Sequence, residues 1–142
     1  MVIDKFHDEY GFLSNFYGSH LTVEHYYQAN KTLDVVWKDK ILGAKTPGKA
    51  KRLGAKAPLR PGWNSIRYDI MVKLVREKFR KPDLAMALIN THPYTLVEGN
   101  GWHDNYWGNC SCDKCKDRKG LNHLGLILMT VRGELIKLRD KY

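Results

Sequence analysis

The chain has 142 residues, 43% of them apolar and 27% charged, with a formal net charge of +9. This is the profile of one globular domain, 1–142, long enough to bury a core; it excludes disordered and collagen-like classes, and no apolar run approaches the ~20 residues of a membrane-spanning helix. The three cysteines all lie between 110 and 115, too few and too crowded for a secreted disulfide framework. With no signal-peptide profile in Met1 to Lys5, a cytoplasmic setting with no membrane partner is expected.

Val2 to Phe6 is predicted as a short strand, followed by a glycine-centred loop from Glu9 to Phe16. A second short strand near His20 is expected to pair with the first. Thr22 can cap a helix running to about Leu33. On it Glu24, Gln28 and Lys31 fall at i, i+4 and i+7, so three polar groups share one face. Trp37 and Ile41 suggest another short helix. Thr46-Pro47 then opens a third with a cap and an N1 proline, and Gly54 is read as its stop.

A long helix from about Asn64 to Arg80 follows, with Ile66, Ile70, Leu74 and Phe79 tracing its apolar side. Pro82-Asp83 starts a shorter one ending at Asn90. Thr95 to Glu98 is the best strand of the second half. The connection from about Gly99 to Gly120 is long for a compact domain, which points to function. The last helix, Asn122 to Arg139, carries Leu124, Leu128, Val131, Leu135 and Leu138 on one stripe. The fold class is therefore mainly α, an orthogonal helical bundle with a small β element.

Charge is concentrated. Residues 38–81 hold 14 Lys/Arg against 3 Asp/Glu, and the rest of the chain is slightly acidic. Such a block attracts phosphate, on a small ligand or along a nucleic acid, and Trp63 lies inside it.

Two segments put carboxylates beside aromatic rings: Glu24 to Gln28 (EHYYQ) and Asp104 to Gly108 (DNYWG). A carboxylate can stabilise positive charge on a sugar carbon or move a proton, and an indole can stack on a base. Cleavage of an N-glycosidic bond needs both, because its transition state has oxocarbenium character. Glu24 and Asp104 are the candidate catalytic acids. Lys31 can hold phosphate, attack a ribosyl carbon if desolvated, or simply pair with a neighbouring acid. Trp107-Gly108 is a candidate stacking platform, since glycine lets a flat ligand approach the backbone.

Cys110, Cys112 and Cys115 form a C-x-C-x-x-C pattern. With His103 or His123 they could complete a tetrahedral zinc site of structural kind; reduced thiols on a surface loop are the alternative. No acid or histidine cluster has the spacing of a catalytic metal site. The chemistry is expected to need no cofactor, and chelators are expected to leave turnover intact.

The ordered motifs resemble the NADAR superfamily, also called YbiA-like, over nearly the whole chain. The likeness is carried by Tyr10 to Phe16 (YGFLSNF), Glu24 to Lys31 (EHYYQANK), Ala44 to Gly48 (AKTPG), Ala50 to Gly54 (AKRLG) and Arg60 to Trp63 (RPGW). It continues through Lys78-Phe79, Leu96 to Glu98, Asp104 to Gly108 and Gly120 to Gly125 (GLNHLG).

The resemblance implies a mainly α fold with a small β element and N-glycosidase activity on ribosylated bases. The substrates it implies are ribosylamino-pyrimidine phosphates of riboflavin biosynthesis or ADP-ribosylated guanine, including guanine in nucleic acid. Carried onto this sequence, the functional positions are Glu24, Trp63, Asp104 and Trp107, with Lys31 a further candidate. Gly11, Phe12, Ser14, Asn15, Phe16, Gln28, Tyr106, Gly108 and Asn122 would complete the substrate pocket. Two departures stand out. Val23 occupies a place where family members often have a small hydroxyl residue, and the insert after Trp107-Gly108 is cysteine-rich where some members are glycine-rich. The readings from other classes are a non-catalytic ADP-ribose or nucleic-acid binding module and a small zinc-stabilised domain.

Overall fold

The computed structural model describes residues 1–142. The chain divides into two compact units, a helical one formed by Asn15–Glu77 and a second formed by Met1–Ser14 together with Lys78–Tyr142. Helices dominate, and the strands are four two-residue pieces. No helix is long and apolar enough to cross a membrane.

In the helical unit α1 (Val23–Asn30), α2 (Val35–Leu42) and α3 (Pro47–Lys56) pack on one another. Each start is built from a short polar side chain that satisfies otherwise orphaned N–H groups. Thr22 Oγ1 accepts from the His25 N–H at 3.3 Å, and His25 Nδ1 accepts from the Thr22 N–H at 3.2 Å, a capping box with histidine in the reciprocal position. Because Nδ1 accepts, Nε2 carries the proton, and it donates to the Ala44 carbonyl at 2.9 Å. The buried His25 thus ties the first turn of α1 to the approach of α3. Asp34 Oδ1 caps α2 through Val36 and Trp37, and Thr46 caps α3 through Lys49. Ala29, Ile41, Ala44 and Ala50 form the core between them, with Leu42, Leu53 and Ala57 packed against it.

Three expectations for this unit are corrected. Gly54 does not end α3; it lies buried inside the helix, where a β-carbon would collide with the Gln28 side chain. Its smallness serves a close helix approach, not a stop. On α4 (Trp63–Lys78) the most buried positions are Trp63, Met71 and Val75, while Ile66, Ile70 and Leu74 are only partly buried, so the apolar face is rotated from the expected stripe. No strand forms near His20.

In the second unit β1 (Val2–Ile3) pairs in parallel with β2 (Thr95–Leu96), in the register Val2 with Thr95 and Ile3 with Leu96. The expected loop around Gly11 is a 3-10 turn, Asp8–Leu13. Helix α5 (Pro82–Ile89), with proline in its first turn, packs on α6 (His123–Lys141), which also lies against β2. Leu124, Leu128 and Val131 are buried as expected, whereas Leu138 is exposed. The α6 approach is close because Gly125 meets the Leu96 carbonyl, where a β-carbon would clash. The buried Arg132 of α6 donates to Thr91 Oγ1 at 3.0 Å and to the Tyr94 carbonyl at 2.8 Å, which fixes the turn leading into β2.

The long connection is not structureless. Within it β3 (Gly99–Asn100) pairs in parallel with β4 (Asn109–Cys110).

Candidate active site

The candidate residues of α1 assemble in the helical unit. Glu24 and Gln28 are buried, not a solvated stripe, and Gln28 Nε2 donates to Glu24 Oε1 at 2.9 Å. The Gln28 Oε1 is buried and takes no hydrogen bond. The backbone of Glu24 is also held, its N–H donating to the Asn15 carbonyl at 3.1 Å. This bond ties the Asn15 backbone to the start of α1; Phe16 is largely exposed.

Lys31 stands at the end of α1, and the Arg60 N–H donates to its carbonyl at 2.7 Å. Burial pushes its amine pKa down; the Glu24 carboxylate opposes that, while Lys51 and Arg67 add to it. A carboxylate and three cationic side chains therefore share one electrostatic neighbourhood, a suitable arrangement for phosphate beside a reacting carbon. The Lys31 Nζ lies 5.8 Å from the Tyr27 ring centroid, and Tyr27 packs at 5.2 Å on Trp63 with the planes tilted by 55°. Both rings are buried. Trp63 thus reaches the Lys31 amine through Tyr27, an aromatic of the EHYYQ segment that was not itself among the expected substrate-binding residues. Lys45, Lys49, Lys51, Arg52 and Lys56, on and beside α3, are exposed, so much of the basic block faces solvent.

The second group of candidates lies in the β3 to α6 connection. Asp104 Oδ1 accepts the N–H groups of Tyr106 at 3.1 Å and Trp107 at 2.9 Å, so this carboxylate shapes the turn that carries both rings. Asn100, itself buried, accepts from the Asp104 N–H at 3.2 Å and donates to its carbonyl at 2.8 Å. Tyr106 and Trp107 meet edge to face at 4.7 Å, and Tyr106 meets His123 at 4.6 Å. Gly108 is buried where a β-carbon would strike Glu98. Its smallness therefore serves chain packing, a duty that the expected stacking platform did not include.

Asn122 has its side chain committed to the backbone. Its Oδ1 accepts from the Glu98 N–H at 2.9 Å and its Nδ2 donates to the Leu96 carbonyl at 3.0 Å. With φ of 52° it adopts the left-handed conformation that asparagine tolerates better than most residues. In the 3-10 turn Gly11 and Phe12 are half-buried, and the Ser14 carbonyl accepts from Lys78 Nζ at 2.8 Å. Lys78 is a titratable residue that the reading missed; burial lowers its pKa to about 7.

His103, Cys110, Cys112 and Cys115 form a cluster whose side-chain donor atoms all lie within 4.8 Å of one another, a set able to hold a metal ion. Of the two histidines left open by the sequence, His103 is the one in the cluster. Its Nδ1 is 3.3 Å from Cys112 Sγ and 3.4 Å from Cys115 Sγ, while the His123 ring packs on Tyr106.

Comparison with known proteins finds relatives over most of the chain. Residues 3–136 match the family model for the NADAR domain. The N-glycosidase YbiA of Escherichia coli strain K12 is 36% identical over 139 residues, covering 90% of this chain and 83% of YbiA. The NMR structure of E. coli YbiA superposes with a TM-score of 0.81 at 33% identity, over 99% of this chain and 89% of that one. The N-glycosidase Npun_R5314 of Nostoc punctiforme is 39% identical over 143 residues, covering 91% of this chain and 88% of its own. A riboflavin biosynthesis protein of Vibrio vulnificus, VVA0006, is 39% identical over 90% of this chain, the match spanning 36% of that longer protein.

Proposed function

The chain belongs to the NADAR family, and from that premise we propose that it is a hydrolase cleaving the N-glycosidic bond between a nitrogenous base and a phosphorylated ribosyl group. The reaction breaks the bond from C1 to the base nitrogen, adds the hydroxyl of water to C1 and delivers a proton to the departing base. The observation that carries this reading is the buried Glu24 carboxylate, hydrogen-bonded by Gln28 in the same neighbourhood as the Lys31 amine.

In this mechanism Glu24 stands beside the ribosyl carbon. It stabilises the positive charge that develops there or orients the attacking water. Asp104 assists as acid or base and holds the turn bearing Trp107. Trp63 and Trp107 hold the flat base or the ribose. Lys31, with the neighbouring Lys51 and Arg67, takes the phosphate. The Gly11 to Phe16 segment, Gln28, Tyr106, Gly108 and Asn122 are the further candidates for substrate binding. The bond-breaking step uses no cofactor, and a zinc ion on the His103 cluster is structural.

Two substrate classes fit this chemistry. One is a ribosylamino-pyrimidine phosphate, the substrate that the family resemblance implies and that suits a relative named as a riboflavin biosynthesis protein; the other is an ADP-ribosylated base, including guanine in nucleic acid. The exposed cations around α3 favour a polyanionic substrate. Product analysis by mass spectrometry decides between them, with each substrate incubated beside the wild type and Glu24→Gln. Release of free base or free ADP-ribose by the wild type alone supports the glycosidase and names its substrate. Tight binding of either substrate with no product formed from both would make the chain a binding module instead.

A further inference from the structure

We propose that His103, Cys110, Cys112 and Cys115 bind a zinc ion in a closed tetrahedral site, and that this ion holds the backbone of the segment carrying Asp104 and Trp107. The role given to that segment rests on the glycosidase reading; the site itself does not.

The size of the cluster fits. A tetrahedral zinc with sulfur at about 2.3 Å and nitrogen at about 2.0 Å separates nitrogen from sulfur by about 3.5 Å. The His103 Nδ1 to sulfur distances are 3.3 and 3.4 Å. No two of the three cysteines form a disulfide. The donor set is one imidazole and three sulfurs with no carboxylate, which favours zinc over hard ions such as magnesium or calcium. Four protein ligands also leave no open position for a reactive water, so the ion is structural.

The local fold is shaped toward the same point from three directions. His103 adopts a left-handed backbone conformation, φ 69°, uncommon for a residue other than glycine. Pairing of β3 with β4 brings Cys110 alongside Asn100, and the His103 N–H points to Cys110 Sγ at 3.3 Å, the kind of hydrogen bond a sulfur ligand accepts. A tight turn, closed by Cys115 and Lys116 N–H groups on the Cys112 carbonyl, places the other two thiols.

The cluster is one hydrogen-bonded step from the candidate catalytic turn. Asp104 follows His103 directly, and both its N–H and its carbonyl are held by the Asn100 side chain. The Asn100 carbonyl in turn accepts from Ser111, between two of the cysteines, at 2.9 Å. Asn105 accepts the Cys110 N–H on its Oδ1 at 2.9 Å and the Leu121 N–H on its main-chain carbonyl at 2.8 Å. Loss of the ion frees three thiols and one imidazole at the base of this network.

The test uses the full chain purified under reducing conditions, with metal content measured by mass spectrometry and the apo form reconstituted with cobalt. One zinc per chain and tetrahedral thiolate–cobalt absorption bands are expected, with Cys112→Ser binding on the order of a hundredfold more weakly. Amide hydrogen exchange, compared between zinc-loaded and apo wild type, is expected to quicken in Asp104 to Gly108 while the amides of α1 stay unchanged. Substoichiometric zinc with no cobalt bands would overturn the site. Full zinc with unchanged exchange in that turn would overturn its role in holding the segment. Both measurements are independent of turnover, so a protein silent on every riboside loses the glycosidase reading and not the metal site.

Discussion

Gln28 Nε2 donates to Glu24 Oε1 at 2.9 Å, one helical turn apart on α1 and with both side chains buried. The hydrogen bond fixes the carboxylate in one orientation, and it leaves the Gln28 carbonyl oxygen turned toward Gly54 without a hydrogen bond. A short stretch of one helix therefore holds the candidate catalytic acid, its orienting donor and the lysine beside it.

Glu24→Gln removes the charge and the proton site while keeping the shape. Its kcat is expected to fall by a factor on the order of 10² to 10⁴ with helix content retained, as for loss of a general acid or base. Gln28→Met, which keeps the volume and deletes the donor, should lose roughly tenfold in kcat with KM less affected. Steady-state kinetics on the productive substrate checks both, and wild-type turnover by Glu24→Gln would remove this residue from the mechanism.

Asp104 has two separable roles. Asp104→Asn retains an oxygen that can accept the Tyr106 and Trp107 N–H groups, whereas Asp104→Ala removes the acceptor altogether. If the carboxylate serves only to shape the turn, the asparagine variant keeps wild-type kcat. The acid or base role predicts that it loses on the order of a hundredfold, with Trp107 fluorescence unchanged.

Gly54→Ala places a methyl group against the buried Gln28 side chain. The overpacking is expected to cost about 1–3 kcal/mol in stability. Urea denaturation measures the loss, and a reduced kcat should accompany it, because the displaced side chain is the one that orients Glu24.

Lys78 supplies a pH dependence. Its folded-state pKa is lowered by burial from 10.5 to about 7. Between these values the unfolded chain binds the extra proton, so stability from this group rises with pH across that window. Below pH 7 both states are protonated and the full penalty of burying the charge is present. The urea midpoint of the wild type should climb from neutral toward alkaline pH more than that of Lys78→Met. Parallel profiles for the two proteins would contradict the shift.

Much of the helical framework was legible because its signals are local. Thr22, Thr46-Pro47 and Pro82 mark helix starts through hydrogen bonds made within a few residues. The places of β1 and β2 were legible, but not their pairing with each other: the partner expected for the first strand lay near His20, and the one that forms is Thr95–Leu96, far along the chain. β3 and β4, two residues each inside the long connection, offer no alternation to read. Gly54 was misread because a glycine that admits a neighbouring side chain looks, in sequence, like one that ends a helix. At the candidate site the residue types of α1 and the Asp104 turn stood out. Tyr27, Lys78 and the backbone duty of Asn122 depend on contacts that spacing does not encode. Turnover was expected to be indifferent to chelators; a zinc ion on the proposed site would instead make slow chelation lower activity through the Asp104 turn, and activity followed during prolonged chelation distinguishes the two.

The discontinuous second unit has a consequence for biosynthesis. Val2 pairs with Thr95, 93 positions later in the chain, so the first strand leaves the ribosome with no partner. The whole of Asn15–Glu77 emerges before that partner exists, and its three capped helices can nucleate locally while translation continues. Closing the parallel pair across so long a loop carries a large entropic cost and comes late. Nascent chains arrested once Glu77 has cleared the ribosomal exit tunnel should therefore already hold the helical unit, with Val2–Ile3 still open to proteolysis.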